Sequence, residues 1–254
     1  MDYNIEFSCF CGTGLIRKNN QDNFWYRGHF LPENHDDYED PGAVVSAATR
    51  PVFCVFDGMG GEACGEKASF LCADAMDKIS REPRPADSAV FFEQACLRMN
   101  DTVAATARAL QVGIAGSTMT GIAFDENEIT VCNVGDSRIY RYADGELKQL
   151  SKDHVMEVVP GRKPHLLQFI GVPPQEFRIS PYIRKKEIRP GDIYLLCSDG
   201  VTDMMPEEMI AEVLRRGHDM TISARMINKL SLRMGGKDNL TGILCRIGDG
   251  RTNQ

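Results

Sequence analysis

Short runs rich in β-branched and aromatic residues recur along this 254-residue chain, and most of them meet an acidic turn. Val52 to Phe56 stops at Asp57-Gly58, Ile129 to Val134 at Gly135-Asp136, and Ile193 to Cys197 at Ser198-Asp199-Gly200. Arg138 to Tyr142 ends before Ala143-Asp144-Gly145, and Asp238-Asn239 opens a last run from Leu240 to Ile247. Turn residues between such runs favour hairpins, hence antiparallel pairing. Helical spacing comes in separate blocks. Glu66 to Ile79 places Ala68, Leu71, Cys72, Ala75 and Met76 on one stripe, and residues 88–110 form a longer, Ala-rich candidate. Pro206 starts a third helix through Leu214, and Asp219 caps a fourth through Leu232. Helices arriving in pairs between groups of strands predict α+β layering rather than a βαβ repeat. Residues 28–50 read as an irregular excursion around Pro32, Pro41 and Gly42, and residues 248–254 as a frayed tail.

Bulk composition narrows the function. Lys plus Arg is 29 against 36 for Asp plus Glu, a net charge of −7. Nucleic acid is therefore not expected as a partner, because phosphate-backbone binding needs a basic face. No apolar stretch approaches the ~20 residues of a membrane span, and Met1 to Phe10 has no signal-peptide core, so a cytoplasmic chain is expected. The nine cysteines form no disulfide framework. Cys54, Cys132, Cys197 and Cys245 sit singly in apolar runs and read as small buried hydrophobes. Cys9 and Cys11 have no second pair at zinc spacing.

Asp22, Asp57, Asp136, Asp199 and Asp238 each stand at a strand end or tight turn beside Gly, Ser or Asn. Asp is a common turn residue that bonds its own backbone, so any one of them is unremarkable. If these strand ends converge, the carboxylates repel one another unless cations lie among them. A ligand set of oxygen alone suits Mg²⁺ or Mn²⁺ rather than zinc or copper. The residues by themselves leave both readings open.

The order of motifs then resembles a known family. Arg17-Lys18-Asn19-Asn20-Gln21-Asp22 is similar to the opening R-x-x-N-[EQ]-D of the type 2C metal-dependent protein phosphatases, and Asp57-Gly58-Met59-Gly60-Gly61 to their D-G-M-G-G. Gly116-Ser117-Thr118, Asn133 to Arg138, Leu150 to His154, Cys197 to Gly200 and Gly236 to Thr241 follow in the family's order. The resemblance spans about residues 5–247 and leans towards bacterial members.

It implies a single catalytic domain over residues 1–254, built as a four-layer α-β-β-α sandwich of two antiparallel sheets flanked by helices. It also implies hydrolysis of phosphoserine and phosphothreonine on proteins, including a cognate Ser/Thr kinase or its targets, by a hydroxide bridging two Mn²⁺ or Mg²⁺ ions. Asp57 would bridge the ions, the Gly58 carbonyl would join one of them, and Asp199 and Asp238 would complete the other's ligands. Asp22 would hold the waters around them, and Asp136 with Asp199 would make a third, weaker site. Arg17 would grip the substrate phosphate with its planar fork.

Three departures matter. Met59 stands where many eukaryotic members have a histidine proposed as general acid, Gln21 where many have Glu, and the flap over 155–171 is shortened. The run from Gly60 to Lys67 is not a nucleotide loop, since Glu66 occupies the place of the P-loop lysine. His154 reads as a hydrogen-bonded turn residue. The alternative from another class is a catalytically silent relative acting as a binding module, and its mark would be loss of Asp57, Asp199 or Asp238. All three are present.

Overall fold

The computed structural model describes residues 3–59, 64–112, 115–156 and 164–248. Thirteen strands lie in two antiparallel sheets. The first has the order β10(Glu146–Gln149), β9(Arg138–Ala143), β12(Ile193–Cys197), β13(Leu240–Ile247), β1(Asn4–Gly12) and β3(Tyr38–Glu39), with β4(Ala43–Ser46) also on β1. The second has the order β11(Tyr182–Glu187), β8(Glu128–Val134), β7(Met119–Phe124), β5(Val52–Met59) and β2(Asp22–Tyr26), with β6(Gly116–Ser117) on β5.

Most of these strands are buried on both faces, so their side chains divide by the pleat between two apolar layers. On β5, Phe53 and Val55 enter the layer between the sheets, where they join Phe7, Ile243 and Val131. Val52, Cys54 and Phe56 face the other way, towards Ala68 and Cys72 of α1(Gly65–Ser80) and Phe92 of α2(Ser88–Leu110). On β13, Ile243 and Cys245 face the inter-sheet layer. Leu240 and Leu244 pack instead with Ile210 and Val213 of α4(Glu207–Arg215) and Ile227 of α5(Met220–Arg233). The result is α-β-β-α, as the resemblance implies.

The helices read in the sequence start and stop within a residue or so of their signals, while the short helix at Asp199–Thr202 was read as a turn. Asp87 caps α2 by accepting from the Ala89 N–H, and Asp219 caps α5 by accepting from the Ile222 N–H at 2.7 Å. Pro206 sits one residue before α4 as its N-cap rather than inside the first turn. All nine cysteines are buried as free thiols.

The excursion over 28–50 is more ordered than the sequence suggests. It contributes β3, β4 and a short 3₁₀ turn (Ala47–Thr49), and both strands pair with β1. Its fixed points are long-range: Asn228 donates to Glu39, and the Thr221 hydroxyl donates to the Pro41 carbonyl at 3.0 Å. Of the expected tail, Gly248 is held by its N–H donating to the Asn4 carbonyl at 2.8 Å, while 249–254 lies outside the described residues, as does 157–163 of the flap.

Candidate active site

At one end of the sandwich, a cavity of about 680 Å³ gathers Arg17, Lys18, Gln21, Asp57, Gly58, Met59, Asp136, Asp199, Asp238 and Asn239. Four of the five aspartates singled out in the sequence thus line one cavity, although they arrive from four separate parts of the chain. Asp57 lies near the end of β5, Asp136 between β8 and β9, Asp199 at the start of the short α3(Asp199–Thr202), and Asp238 just before β13. Asp22, the fifth, opens β2 as the cross-strand partner of Asp57 and is only 1% exposed, behind the cavity surface.

Backbone contacts too tight for a side chain fix these turns. A Cβ on Gly58 would lie 2.1 Å from the Gly65 carbonyl and 2.4 Å from that of Gln21. The glycine therefore lets the start of α1 and the Arg17 loop close onto β5. On Gly200 a Cβ would lie 2.0 Å from the Asn239 carbonyl oxygen, which ties the Asp199 and Asp238 turns together.

Asp57 is clamped through its backbone. Its N–H donates to Thr118 Oγ1 at 3.1 Å, its carbonyl accepts from the Thr118 N–H at 2.8 Å, and Thr118 Oγ1 lies 2.7 Å from Ser137 Oγ. The Asp136 turn is held by His154, whose ring Nδ1 accepts from the Gly135 N–H at 3.2 Å while its backbone N–H donates to the Gly135 carbonyl at 2.9 Å. An accepting Nδ1 places the ring proton on Nε2. Burial, with Lys152 nearby, holds this imidazole below its ordinary pKa. His154 is thus a turn clamp, as its sequence setting suggests.

The Asp22 carboxylate accepts from Ser198 Oγ at 2.8 Å, and Ser198 Oγ in turn accepts from the Thr241 N–H at 3.0 Å. Burial pushes the Asp22 carboxyl up to about 7, against the pull of those hydroxyl contacts and reinforced by Asp199 and Asp238. Arg17 donates to Asp238 Oδ2 at 2.8 Å, and this bond is the main reason its guanidinium is held above its ordinary range, with Asp57 and Asp199 adding attraction. Its side chain is 51% exposed at the cavity mouth.

Several site residues carried no role in the sequence reading. Thr118, Ser198 and Thr241 belong to its motifs, but their hydroxyl contacts depend on strand pairing that spacing alone does not show. His165, with Pro164 and Leu166, lines the cavity from the flap, and nothing around it in sequence marks it. Gln21 donates to Glu66 Oε2 at 2.8 Å, joining the Arg17 loop to α1.

The donor set fits hard cations. Four carboxylates line one cavity with a fifth buried behind them, and all of the ligating atoms they offer are oxygen. As they stand, no three His, Cys, Asp or Glu side chains among the described residues are gathered closely enough to enclose an ion. Asp238 is engaged by Arg17 and by the Asn239 N–H.

A profile of protein phosphatase 2C matches residues 33–233. The serine/threonine protein phosphatase PstP of Mycobacterium tuberculosis is 30% identical over 96% of this chain, which spans 45% of that relative's length. The serine/threonine phosphatase stp of Listeria monocytogenes is 26% identical, over 83% of this chain and 90% of its own. Among solved structures, the catalytic domain of PstP in complex with two manganese ions superposes with a TM-score of 0.79 at 28% identity, covering 98% of this chain and all of that one. A profile match over most of the chain, together with the shared architecture, shows that the chain belongs to the protein phosphatase 2C family.

Proposed function

We propose that this chain is a metal-dependent phosphatase acting on phosphoserine and phosphothreonine of other proteins, among them a Ser/Thr kinase or its targets, with the described residues working as one catalytic domain. The observation that carries it is the cavity that brings Asp57, Asp136, Asp199 and Asp238 together with Arg17. The manganese-bound PstP domain of the same fold supports the cation assignment.

Asp57, the Gly58 carbonyl, Asp199 and Asp238 would hold two Mn²⁺ or Mg²⁺ ions, and Asp136 with Asp199 a third, weaker one. Divalent ions held there supply Lewis acidity, which brings the pKa of water near neutral and offsets charge on a phosphoryl group. Asp22 orients the water layer beneath them, its carboxylate aimed by Ser198 Oγ. Arg17, at the mouth, presents a planar fork to the phosphoryl oxygens. Met59 on the wall carries no proton, so the departing seryl or threonyl oxygen takes its proton from water. Every cysteine is buried, which leaves none placed to attack phosphorus. A silent binding role is not favoured, because Asp57, Asp199 and Asp238 all face the cavity.

The test is hydrolysis of a phosphothreonine peptide. Release of phosphate in Mn²⁺ and its loss in excess chelator are expected. Full turnover in chelator would refute the reading.

A further inference from the structure

Asn239 lies between the loops that carry Arg17 and Asp238, and the reaction described above gives it no part. It is 5% exposed yet reaches the cavity wall. Its Oδ1 accepts from the Gln21 N–H at 2.9 Å, and its Nδ2 donates to the carbonyl oxygens of Thr13 and Asn19, each at 2.9 Å. The amide has one sensible orientation, since two carbonyls need donors and one N–H needs an acceptor. Two more contacts join the same loops. The Leu15 N–H donates to the Gly236 carbonyl at 2.7 Å, and a Cβ on Gly14 would come within 2.2 Å of the Asp238 carbonyl oxygen.

Residues 13–21 form no helix or strand, so no backbone ladder fixes Arg17. The anchored positions, Thr13, Leu15, Asn19 and Gln21, fall on both sides of it, and three of the four are held by the one Asn239 side chain. We infer that Asn239 is a positioning residue for phosphate recognition, holding the loop so that Arg17 meets the phosphoryl oxygens beside Asp238. This rests on the phosphatase reading. Truncating Asn239 leaves two carbonyls and an N–H without their partner and loosens the loop, and displacement on the scale of 1 Å is enough to spoil a bidentate grip.

The test compares wild type, Asn239→Ala, Arg17→Ala and the double variant. It measures hydrolysis of p-nitrophenyl phosphate in saturating Mn²⁺ and, by calorimetry, binding of inorganic phosphate to the Mn²⁺-loaded protein. Asn239→Ala is expected to raise KM and the phosphate Kd about tenfold, the size of one weakened charge-assisted hydrogen bond, with kcat changed less. In the Arg17→Ala background it adds less than about twofold, because the residue it positions is gone. An unchanged phosphate Kd in Asn239→Ala, or the same loss in both backgrounds, overturns the inference. Asn239→Asp keeps the acceptor for Gln21 and loses both donors, and it is read in the same way if the alanine variant does not fold. Wild type inert towards phosphate esters would fail the phosphatase reading instead, while the calorimetric comparison still reports on Asn239.

Discussion

The two ends of the second sheet are built from similar residues to opposite effect. At the end remote from the cavity, where β5 begins and β7 finishes, a single carboxylate is held by guanidinium and hydroxyl groups. Arg50 Nε donates to Asp125 Oδ1 at 2.8 Å, Ser88 Oγ donates to Asp125 Oδ2 at 2.7 Å, and Arg84 donates to Ser88 Oγ at 2.7 Å. Burial, with Arg50 close by, lowers the Arg84 guanidinium to about 10. This polar network ties the loop before α2 to two strand ends. At the cavity end four carboxylates line one open space, and burial leaves Asp22 behind them raised to about 7. Perturbed carboxylates gathered at a cavity are the mark of a functional site. What separates a structural cluster from a functional one here is that several acids from distant parts of the chain open onto one cavity, not the number of acids.

The comparison breaks most visibly under substitution. Asp57→Asn or Asp238→Asn is expected to lower kcat on an aryl phosphate by on the order of 10³ or more, since each removes a cation ligand. Near-normal turnover in either variant would show that the ligands are wrongly assigned. Arg17→Ala has the next largest effect, a rise in KM of roughly ten- to a hundredfold with a smaller change in kcat, if the fork chiefly holds the bound phosphate. The opposite split would place it in transition-state stabilisation.

A pH series sharpens the contrast. Asp22 binds its proton more tightly in the folded chain, at about 7, than at its ordinary value of 3.8. Its contribution is therefore fully present below about pH 4 and is lost as pH rises through about 7. In chelator, the Tm of wild type relative to Asp22→Asn should fall between pH 5 and 7, and Mn²⁺ should restore it at pH 7. A difference that rises over that interval contradicts a carboxyl raised by burial at Asp22. Smallest is Asp125→Asn at the remote end. It should lower Tm by a few degrees, the effect of about 1 kcal/mol in a chain of this size, with turnover unchanged.

Much of this was legible in the sequence, for identifiable reasons. Residues 88–110 were read as a helix and form one over that range, because the apolar stripe and the Asp87 cap agree. Ile193 to Cys197 is a strand as read, bounded by the same turn. β1 was missed. Asn4-Ile5-Glu6-Phe7-Ser8-Cys9 does alternate polar and apolar residues, but the stretch was weighed only for a signal-peptide core. β3 and β4 were lost inside a Pro-containing stretch because long-range pairing to β1, not local propensity, makes them strands.

The candidate site was legible as residue types and order, and the shared cavity of Asp57, Asp136, Asp199 and Asp238 agrees with that order. Its supports were not. Gly58 enters the sequence reading only for its carbonyl, whereas the close approach of the Gly65 and Gln21 carbonyls to the place of its missing Cβ is visible only in the fold. Asn239 and Ser198 act across sequence separations of 218 and 176 residues, which no local pattern encodes.

The central claim is that these carboxylates capture hard cations, and calorimetric titration of Mn²⁺ into the metal-stripped chain at pH 7 tests it most directly. The account predicts two tightly held ions per chain ahead of any weaker binding, with Asp57→Asn abolishing the tight pair and Asp125→Asn preserving it. Absence of binding in wild type, or an unchanged isotherm in Asp57→Asn, would contradict it.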